Sequence, residues 1–206
     1  MNLHFNILPE IQKQLFQKFS KLEFLIDYYL AGGTALALQI GHRKSIDFDF
    51  FSQKDINLFN LKNSLQIFSG YEIIDESKNT LYVNINGVKT SFISYSYPMI
   101  SNLLTFEKMF FADILDIGCM KLSSIIGRGL KRDFIDLYFI LKQIDFDFLL
   151  EKFYTKYEEN GNNIYNLKKS IVNFDDADNE PMPDMIIKTN WNEVKSFFRK
   201  YVNRII

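Results

Sequence analysis

The sequence has little of what cross-links a small protein or ligates a soft metal. It contains one cysteine, Cys119, and two histidines, His4 and His42. A lone cysteine excludes an internal disulfide framework and a cysteine-rich zinc site, and two histidines exclude a multi-histidine metal centre. The apolar neighbours of Cys119 predict a buried structural thiol, and His42 is expected at the surface or at a helix cap. Functional residues must therefore be sought among other side chains.

Proline, glycine and net charge are also low. Four prolines and nine glycines among 206 residues exclude collagen-like and low-complexity chains. The 24 Lys and Arg residues nearly balance 25 Asp and Glu residues, which gives a formal net charge of −1. No global field therefore draws the chain to nucleic acid or to an anionic membrane, and any nucleic-acid binding must use a local patch. The N-terminal region carries no long apolar stretch, so we expect no signal peptide, no membrane partner and a cytoplasmic location.

Apolar and aromatic side chains are abundant instead. They make up 47% and 16% of the residues, which is enough for a sizeable core. We expect a mixed α/β part over residues 1–100 and a helical part over residues 101–206, packed on it or merged with it in one single domain. Predicted helices cover 9–22, 35–40, 58–68, 116–127, 131–142, 147–158, 162–173 and 190–204. Predicted strands cover 28–31, 46–51, 71–75, 80–85 and 88–95, with a hairpin turn at Asn86-Gly87 and a solvated loop over 175–180.

The most informative segment is residues 30–51. A predicted strand ends at Gly32 and Gly33, where the missing Cβ atoms let the backbone approach a ligand closely. Thr34 is then predicted to cap a helix. The free amides at a helix N-terminus, together with the helix dipole, form an anion site. The turn therefore predicts contact with a phosphate or another anion.

The acid pair of this segment is the candidate metal site. Asp47 and Asp49 are two residues apart on a predicted strand, so both lie on one face, while Ile46 and the phenylalanines face the other way. Two acids held together repel each other unless a cation bridges them. Mg²⁺ is held in this way by one or two carboxylates together with substrate phosphates. With twelve residues between Thr34 and Asp47, the glycine turn and the acid pair together predict a nucleoside triphosphate site.

Four blocks of the sequence resemble the AbiEii/AbiGii-type nucleotidyltransferase toxins of the polymerase-β-like superfamily: GGTALAL, GHRKSIDFDFF, MKLSSIIGRGLKRDFIDLYFIL and FDDAD. The resemblance covers most of the chain. It implies an α/β (α+β) minimal nucleotidyltransferase core with a small mixed sheet, followed by a helical C-terminal half. It also implies a nucleoside triphosphate such as ATP or GTP, Mg²⁺ or Mn²⁺, and a cognate antitoxin. For some members it implies transfer of nucleotides to tRNA.

The block over residues 116–141 supplies further candidates. Asp133 and Asp136 lie three residues apart on a predicted helix. Partly buried acids so close together need cationic partners, which can come from Lys121, Arg128, Lys131 and Arg132. On the resemblance, Lys121 neutralises the triphosphate, and Asp133 positions it or assists proton transfer. The alternative is a salt-bridged helix pair with no part in the chemistry.

Three residues near the acid pair leave alternatives open. Arg43 can reach a phosphate or pair with Asp47, and Ser45 can start the strand or contact the substrate. The superfamily usually has a third carboxylate on a neighbouring strand, and Ser91 occupies the aligned position. Either Asp133 supplies that function, or one metal site is weak, or catalysis is lost. A loose phosphoryl transition state depends more on positioning and electrostatics than on a strong base, so the serine does not exclude activity.

These residues define the functional hypothesis. It is Mg²⁺-dependent transfer of a nucleoside monophosphate from a triphosphate to an acceptor hydroxyl by a toxin of a toxin–antitoxin or abortive-infection system. The metal ligands are Asp47 and Asp49. The catalytic residues are Asp47, Asp49, Lys121 and Asp133. The nucleotide-binding residues are Gly32, Gly33, Thr34, Arg43, Ser45, Lys121 and Arg128.

Two other functions remain open. A metal-dependent glycosyltransferase also uses an Asp-x-Asp pair, and a non-catalytic nucleotide-binding module is favoured by Ser91. An RNA acceptor, tRNA included, needs a local basic patch. Lys121, Arg128, Lys131 and Arg132, together with Lys168 and Lys169, can form one, and the alternative is that these residues only solvate their helices. Tyr95 and Tyr97 are the aromatic residues best placed by the sequence to stack on a base.

Overall fold

The computed structural model describes residues 2–157 and 164–202. The chain divides into two compact units, Met1–Pro98 with Asn102–Asp113, and Met99–Ser101 with Ile114–Ile206. The described strands are β1 (Tyr29–Ala31), β2 (Phe48–Ser52), β3 (Tyr71–Ser77), β4 (Thr80–Ile85), β5 (Val88–Ser94), β6 (Leu104–Phe106) and β7 (Met109–Phe111). The described α-helices are α1 (Glu10–Phe19), α2 (Gly32–Ile40), α3 (Leu58–Leu65), α4 (Ile114–Gly127), α5 (Lys131–Ile140), α6 (Phe146–Tyr157), α7 (Ile164–Ser170), α8 (Asp175–Asp178) and α9 (Trp191–Tyr201). The predicted α/β fold class is confirmed.

The strands of the first unit make one mixed sheet in the order β3-β4-β5-β2-β1-β7-β6. β1 is antiparallel to β2 and parallel to β7, and β2 is parallel to β5. The other neighbours are antiparallel, including β4 and β5, which the predicted Asn86-Gly87 turn joins. β2 carries Asp49, the second acid of the Asp-x-Asp motif, and Asp47 lies just before it. β2 is an interior strand, with β1 on one side and β5 on the other.

Helix α1 covers one face of this sheet with aromatic side chains. Phe16 and Phe19 contact Phe48 and Phe50 of β2 at ring-centroid distances from 5.1 to 6.3 Å. All four side chains are buried. Burial of one ring of this size stabilises the fold by about 1.5–3 kcal/mol. The aromatic excess of the sequence is, in this unit, chiefly a property of the core.

The opposite face of the sheet carries the polar residues. Asp49 pairs with Ser91 of β5, and Ser91 pairs with Tyr82 of β4. Paired residues on neighbouring strands point to the same face, so these three side chains form one row. Alternation along β2 places Phe48 and Phe50 on the buried face. The predicted two-faced character of the acidic strand is therefore present from Phe48 onward.

Two of the boundaries in the first unit that differ from the sequence prediction lie at the candidate site. β2 begins at Phe48 rather than at residue 46, so Ile46 precedes the strand and is 51% exposed instead of facing the core. α2 begins at Gly32, and Ala31 rather than Thr34 occupies the N-cap position. The side chain of Thr34 instead contacts the segment before β2. The glycines thus lie inside the first turn of the helix rather than before it.

The sequence analysis missed β6 and β7. Each is three residues long, and Glu107 between them has a positive φ of 51°. Such short strands leave too few positions to show alternation, and a glutamate at positive φ does not announce a turn.

The second unit is organised around a buried ion pair. Asp116 of α4 and Lys156 of α6 are fully buried, with Lys156 Nζ 2.7 Å from Asp116 Oδ1. The carboxylate also accepts hydrogen bonds from the backbone amides of Ile100 at 3.0 Å and Ser101 at 2.9 Å. Buried charges need partners of this kind. Asp116 therefore joins the segment Met99–Ser101 to two helices of the same unit.

In this unit, one predicted loop is partly wrong and three predicted helices extend beyond the described residues. The loop predicted over 175–180 is wrong over its first four residues, which form α8. The helix over 162–173 extends outside the described residues at its start, and the helices over 147–158 and 190–204 do so at their ends. Throughout residues 2–157 and 164–202, every helix is too short or too polar to cross a lipid bilayer.

Candidate nucleotide site

Helix α2 begins against the carboxylate of Asp49. Gly32 has a φ of +69°, and a Cβ built on it would lie 2.9 Å from Asp49 Oδ2. Real Cβ atoms do not approach a neighbour this closely, and the left-handed backbone also favours glycine. The first amides of a helix have no partner within the helix and attract anions. The first amides of α2 lie beside Asp49, one of the two predicted metal ligands.

The guanidinium of Arg43 lies over Gly33. A Cβ on Gly33 would be 2.4 Å from Arg43 Nη2. Arg43 is 5% exposed, and its Nη1 donates a hydrogen bond to the carbonyl of Lys44 at 2.9 Å. This arrangement places a permanent positive charge at the first turn of α2, where the helix dipole already favours an anion. The position suits contact with a phosphate.

Thr34 and Ser45 connect the first turn of α2 to the segment that leads into β2. Thr34 Oγ1 lies 2.8 Å from Ser45 Oγ, and it also donates to the backbone carbonyl of Asp47. Thr34 is buried, whereas Ser45 is half-buried. The two hydroxyls therefore fix the backbone at Asp47, just before the acidic strand. Their predicted contact with the nucleotide stays a prediction.

Ser91 holds the side chain of Asp49 in place. Its hydroxyl donates a hydrogen bond of 2.7 Å to Asp49 Oδ1, and Ser91 is only 3% exposed. The two oxygens of Asp49 therefore have different surroundings, since Oδ1 faces Ser91 and Oδ2 faces Gly32. At the position where the superfamily has a third acid, this chain has a donor that orients the second one.

The donor set of the site consists of two carboxylates. Asp47 and Asp49 are both half-buried. Among the residues that the structure describes, no group of three or more His, Cys, Asp or Glu side chains could hold a metal ion. Mg²⁺ and Mn²⁺ accept such sites, because carboxylate oxygens suit them and substrate phosphates complete the ligand shell. A zinc centre built from nitrogen and sulfur ligands does not fit these residues.

Three of the other predicted residues form an ion cluster in the second unit, with Asp136 as its fourth member. Lys121 Nζ lies 2.9 Å from Asp133 Oδ1 and 2.7 Å from Asp136 Oδ2. Arg128 Nε lies 2.9 Å from Asp133 Oδ2. Both acids are fully buried and the Lys121 side chain is 6% exposed, whereas the Arg128 side chain is 53% exposed. Of the four cations predicted as possible partners of the two acids, Lys121 and Arg128 are the ones found here, whereas Lys131 donates hydrogen bonds to Glu180.

The cluster sets the protonation of Asp133. Burial alone would raise the pKa of its carboxyl group, but the charges of Lys121 and Arg128 and their hydrogen bonds hold that pKa below the ordinary value. A carboxylate stabilised in this way is a weak base. The arrangement therefore favours a positioning role for Asp133 over proton transfer.

Comparison with known proteins identifies the family. The family described as "Nucleotidyl transferase AbiEii toxin, Type IV TA system" matches residues 13–104. An uncharacterized protein of Aquifex aeolicus is 37% identical over 207 residues, which cover 97% of this chain and 98% of that protein. The chain belongs to the AbiEii nucleotidyltransferase toxin family.

Solved structures show that this AbiEii family member shares its fold with nucleotidyltransferases. JHP933 from Helicobacter pylori superposes with a TM-score of 0.57 at 19% identity, over 96% of this chain and 93% of that one. MenT4, a nucleotidyltransferase toxin from Mycobacterium tuberculosis, has a TM-score of 0.56 at 14% identity, over 93% and 82% of the two chains. Identities this low show the common fold and nothing finer.

For other residues of this AbiEii chain, the structure confirms some predicted positions and contradicts others. Cys119 is buried as predicted, and burial raises the pKa of its thiol to about 12, so it is not a reactive thiolate. His42 is fully buried, so the expectation of a surface histidine is wrong. Tyr95 and Tyr97 contact each other with ring centroids 4.8 Å apart, and Tyr95 contacts Phe51 at the other end of β2 from the acid pair.

Sequence reasoning missed Tyr82, which lies in the same row as Asp49 and Ser91 and is 39% exposed. A signal for it was present in the sequence. The two-residue Asn86-Gly87 turn fixes the pairing of Ile85 with Val88, and counting outward from the turn places Tyr82 opposite Ser91.

Proposed function

We propose that this chain transfers a nucleoside monophosphate from a nucleoside triphosphate to an acceptor hydroxyl, with Mg²⁺ or Mn²⁺ held by Asp47 and Asp49. The observation that carries the proposal is the start of α2 against Asp49, at Gly32. An anion site and the carboxylate of Asp49 meet there, and Asp47 lies two residues before Asp49 in the chain. Their conjunction is what a metal-bound triphosphate requires, because its phosphates need both neutralising donors and a cation.

The residues of the first unit divide the work of binding. The backbone amides of the first turn of α2 bind phosphate oxygens, which the absence of side chains at Gly32 and Gly33 permits. Arg43 supplies positive charge over the same turn. Thr34 and Ser45 fix the backbone before β2, and so keep the acid pair in register with the phosphates.

Asp47 and Asp49 are the residues that would hold the divalent cation, and Ser91 orients Asp49 through its hydrogen bond. When bound, the cation supplies charge neutralisation at the phosphates during transfer. In the reaction, an acceptor oxygen forms a bond to the α-phosphorus and the bond from that phosphorus to the bridging oxygen breaks. Pyrophosphate leaves, and the hydroxyl proton passes to solvent or to a neighbouring base.

The biological setting follows from the family. We propose that the acceptor is an RNA, with tRNA as the first candidate, and that a cognate antitoxin limits the activity in the cell. The toxin family to which the chain belongs, and the fold that it shares with MenT4, a nucleotidyltransferase toxin, support this proposal. The contributions of Lys121, Arg128 and Asp133 to the reaction stay predictions, since their ion cluster is described within the second unit alone.

A transfer assay tests the function. Purified protein is incubated with each triphosphate labelled in the α-phosphate, Mg²⁺ and total RNA, and label is expected to enter RNA with release of pyrophosphate. Asp49→Asn should reduce transfer about 100-fold or more, because loss of a metal ligand should remove about 2.7 kcal/mol or more of transition-state stabilisation. Asp27→Asn, an isosteric change of an exposed acid that precedes β1 and pairs with Lys54 at the surface, is the matched control and should leave transfer intact.

The alternatives predict other results in the same assay. Triphosphate binding without any transfer would favour the non-catalytic module, for which the hydroxyl of Ser91 in place of a third acid is the specific observation. Transfer from a nucleotide sugar but from no triphosphate would favour a glycosyltransferase and overturn the proposal.

A further inference from the structure

The sheet face beside Asp49 presents an exposed aromatic ring. Tyr82 pairs with Ser91, and Ser91 pairs with Asp49, so the three residues follow one another across β4, β5 and β2. With neighbouring strands about 4.8 Å apart, the Cα atoms of Tyr82 and Asp49 are about 10 Å apart. Tyr82 is 39% exposed, whereas the aromatic side chains on the other face of the same strands are buried. Solvent, and therefore a ligand, can reach this ring close to Asp49.

The direction from which the acceptor hydroxyl should attack the triphosphate also points to this face of the sheet. On the proposed function, the departing phosphates lie at the start of α2, which follows β1, on one side of Asp49. The attacking and leaving oxygens of a phosphoryl transfer lie roughly in line. The acceptor hydroxyl therefore arrives from the opposite side of Asp49, over β5 and β4. Ser91 and Tyr82 are the residues of the Asp49 row on that side.

The charges around Tyr82 limit what can bind there. Lys89 lies on the same face, two residues before Ser91, and is exposed. Beyond β4, the edge strand β3 places the exposed acids Glu72 and Asp75 beside this surface, and Asp75 pairs with Tyr82. Acids repel a phosphate backbone. A strand of RNA can therefore lie over β5 and β4, next to Lys89, but it cannot continue across β3.

We infer that Tyr82 stacks on the 3′-terminal base of a single-stranded RNA acceptor and that Lys89 contacts a phosphate of the same strand. This inference rests on the proposed function for the direction of attack. A tyrosine ring stacks on any base, so it positions the terminal hydroxyl without reading the sequence. An exposed ring beside a lysine is the combination that binds single-stranded nucleic acid, and it favours RNA over a protein hydroxyl as the acceptor.

Fluorescence anisotropy with a short labelled single-stranded RNA measures the predicted contact. Tyr82→Ala should raise the Kd about 5- to 150-fold, and Tyr82→Phe, which keeps the ring, should leave it nearly unchanged. Phe59→Ala is the matched control, because Phe59 is an aromatic residue of α3 that is 71% exposed and lies outside the proposed surface. An unchanged Kd for Tyr82→Ala, or an equal loss for Phe59→Ala, would overturn the inference.

A probe with an abasic 3′-terminal nucleotide identifies the base that stacks. The wild-type protein should bind this RNA more weakly than the intact RNA, whereas Tyr82→Ala should bind both equally. Lys89→Gln should lower the slope of log Kd against log salt by about 0.7, which corresponds to one phosphate of a single strand. If the wild-type protein does not distinguish the abasic RNA from the intact RNA, terminal stacking is wrong.

Calorimetry with triphosphate and Mg²⁺ separates this inference from the function on which it rests. If triphosphate binds and the RNA contact is absent, only the acceptor surface is wrong, and a protein hydroxyl becomes the acceptor class to examine. If triphosphate does not bind, the proposed function is wrong and the direction of attack that supports Tyr82 is lost with it.

Discussion

Gly33 is the residue at which the helix terminus and the arginine meet. The space that a Cβ would fill there is occupied by Arg43 Nη2, 2.4 Å away. An alanine therefore has to displace the guanidinium. The displaced atoms belong to the far end of a flexible side chain, so the backbone of α2 can stay where it is.

Gly33→Ala should consequently weaken binding without unfolding the chain. We expect the triphosphate Kd to rise about 10- to 100-fold, since a hydrogen bond to a charged group contributes about 1.5–3 kcal/mol. The free energy of unfolding should fall by no more than about 1–3 kcal/mol, the usual cost of adding a methyl group to a packed region. Calorimetry and urea denaturation check the two expectations. Gly127→Ala, at a glycine with open space around it, is the control, and equal binding by both variants would contradict the role of Arg43.

At the scale of elements, the contact between α4 and α6 depends on one buried pair. Lys156→Met removes the cation that neutralises the fully buried Asp116. The free energy of unfolding should fall by about 3–5 kcal/mol, because an uncompensated buried charge is left behind. Lys152→Met changes a pair of the same helix whose acid, Glu151, is 66% exposed, and it should change stability by less than about 1 kcal/mol. If chemical denaturation shows similar losses of unfolding free energy for Lys156→Met and Lys152→Met, the buried pair stabilises the fold no more than the exposed pair does.

The ion pair between Lys121 of α4 and Asp133 of α5 should make the free energy of unfolding depend on pH. Because the folded-state pKa of Asp133 is lowered, its contribution is complete above the unfolded pKa of about 3.9 and is lost as the pH falls through the folded value. Asp133→Asn should therefore be less stable than wild type near neutral pH. The difference should shrink on acidification below about pH 4. Urea denaturation over a pH series measures it, and a difference that stays constant with pH would contradict the assignment.

At the scale of the whole molecule, features set by local sequence patterns could be predicted better than features set by contacts between distant residues. The alternation around Asp49 and the Asn86-Gly87 turn are local signals, and they correctly indicated β2, β4, β5 and the hairpin. The helical C-terminal part followed from apolar spacing. Charge reasoning likewise named Lys121 among four cations that could neutralise Asp133, from which it is twelve residues away along the chain.

The parts that could not be predicted depend on tertiary contacts. Nothing in the sequence places the guanidinium of Arg43 over Gly33, since that position depends on how the loop before β2 folds back on α2. Thr34 carries a standard capping side chain, but a contact with Asp47 competed with the capping role. The net charge of −1 also gave no hint that acids and a buried arginine meet at one site.

The central claim is that Asp49, with Asp47, holds the cation of a triphosphate bound at the start of α2. Isothermal titration calorimetry of the full chain with each triphosphate, with and without Mg²⁺, tests it most directly. We expect Mg²⁺-dependent binding by the wild-type protein and by Asp27→Asn, and a Kd raised at least about tenfold in Asp49→Asn, which corresponds to about 1.4 kcal/mol. Equal binding by Asp49→Asn and Asp27→Asn, or no binding of any triphosphate by the wild-type protein, would contradict this role of Asp49.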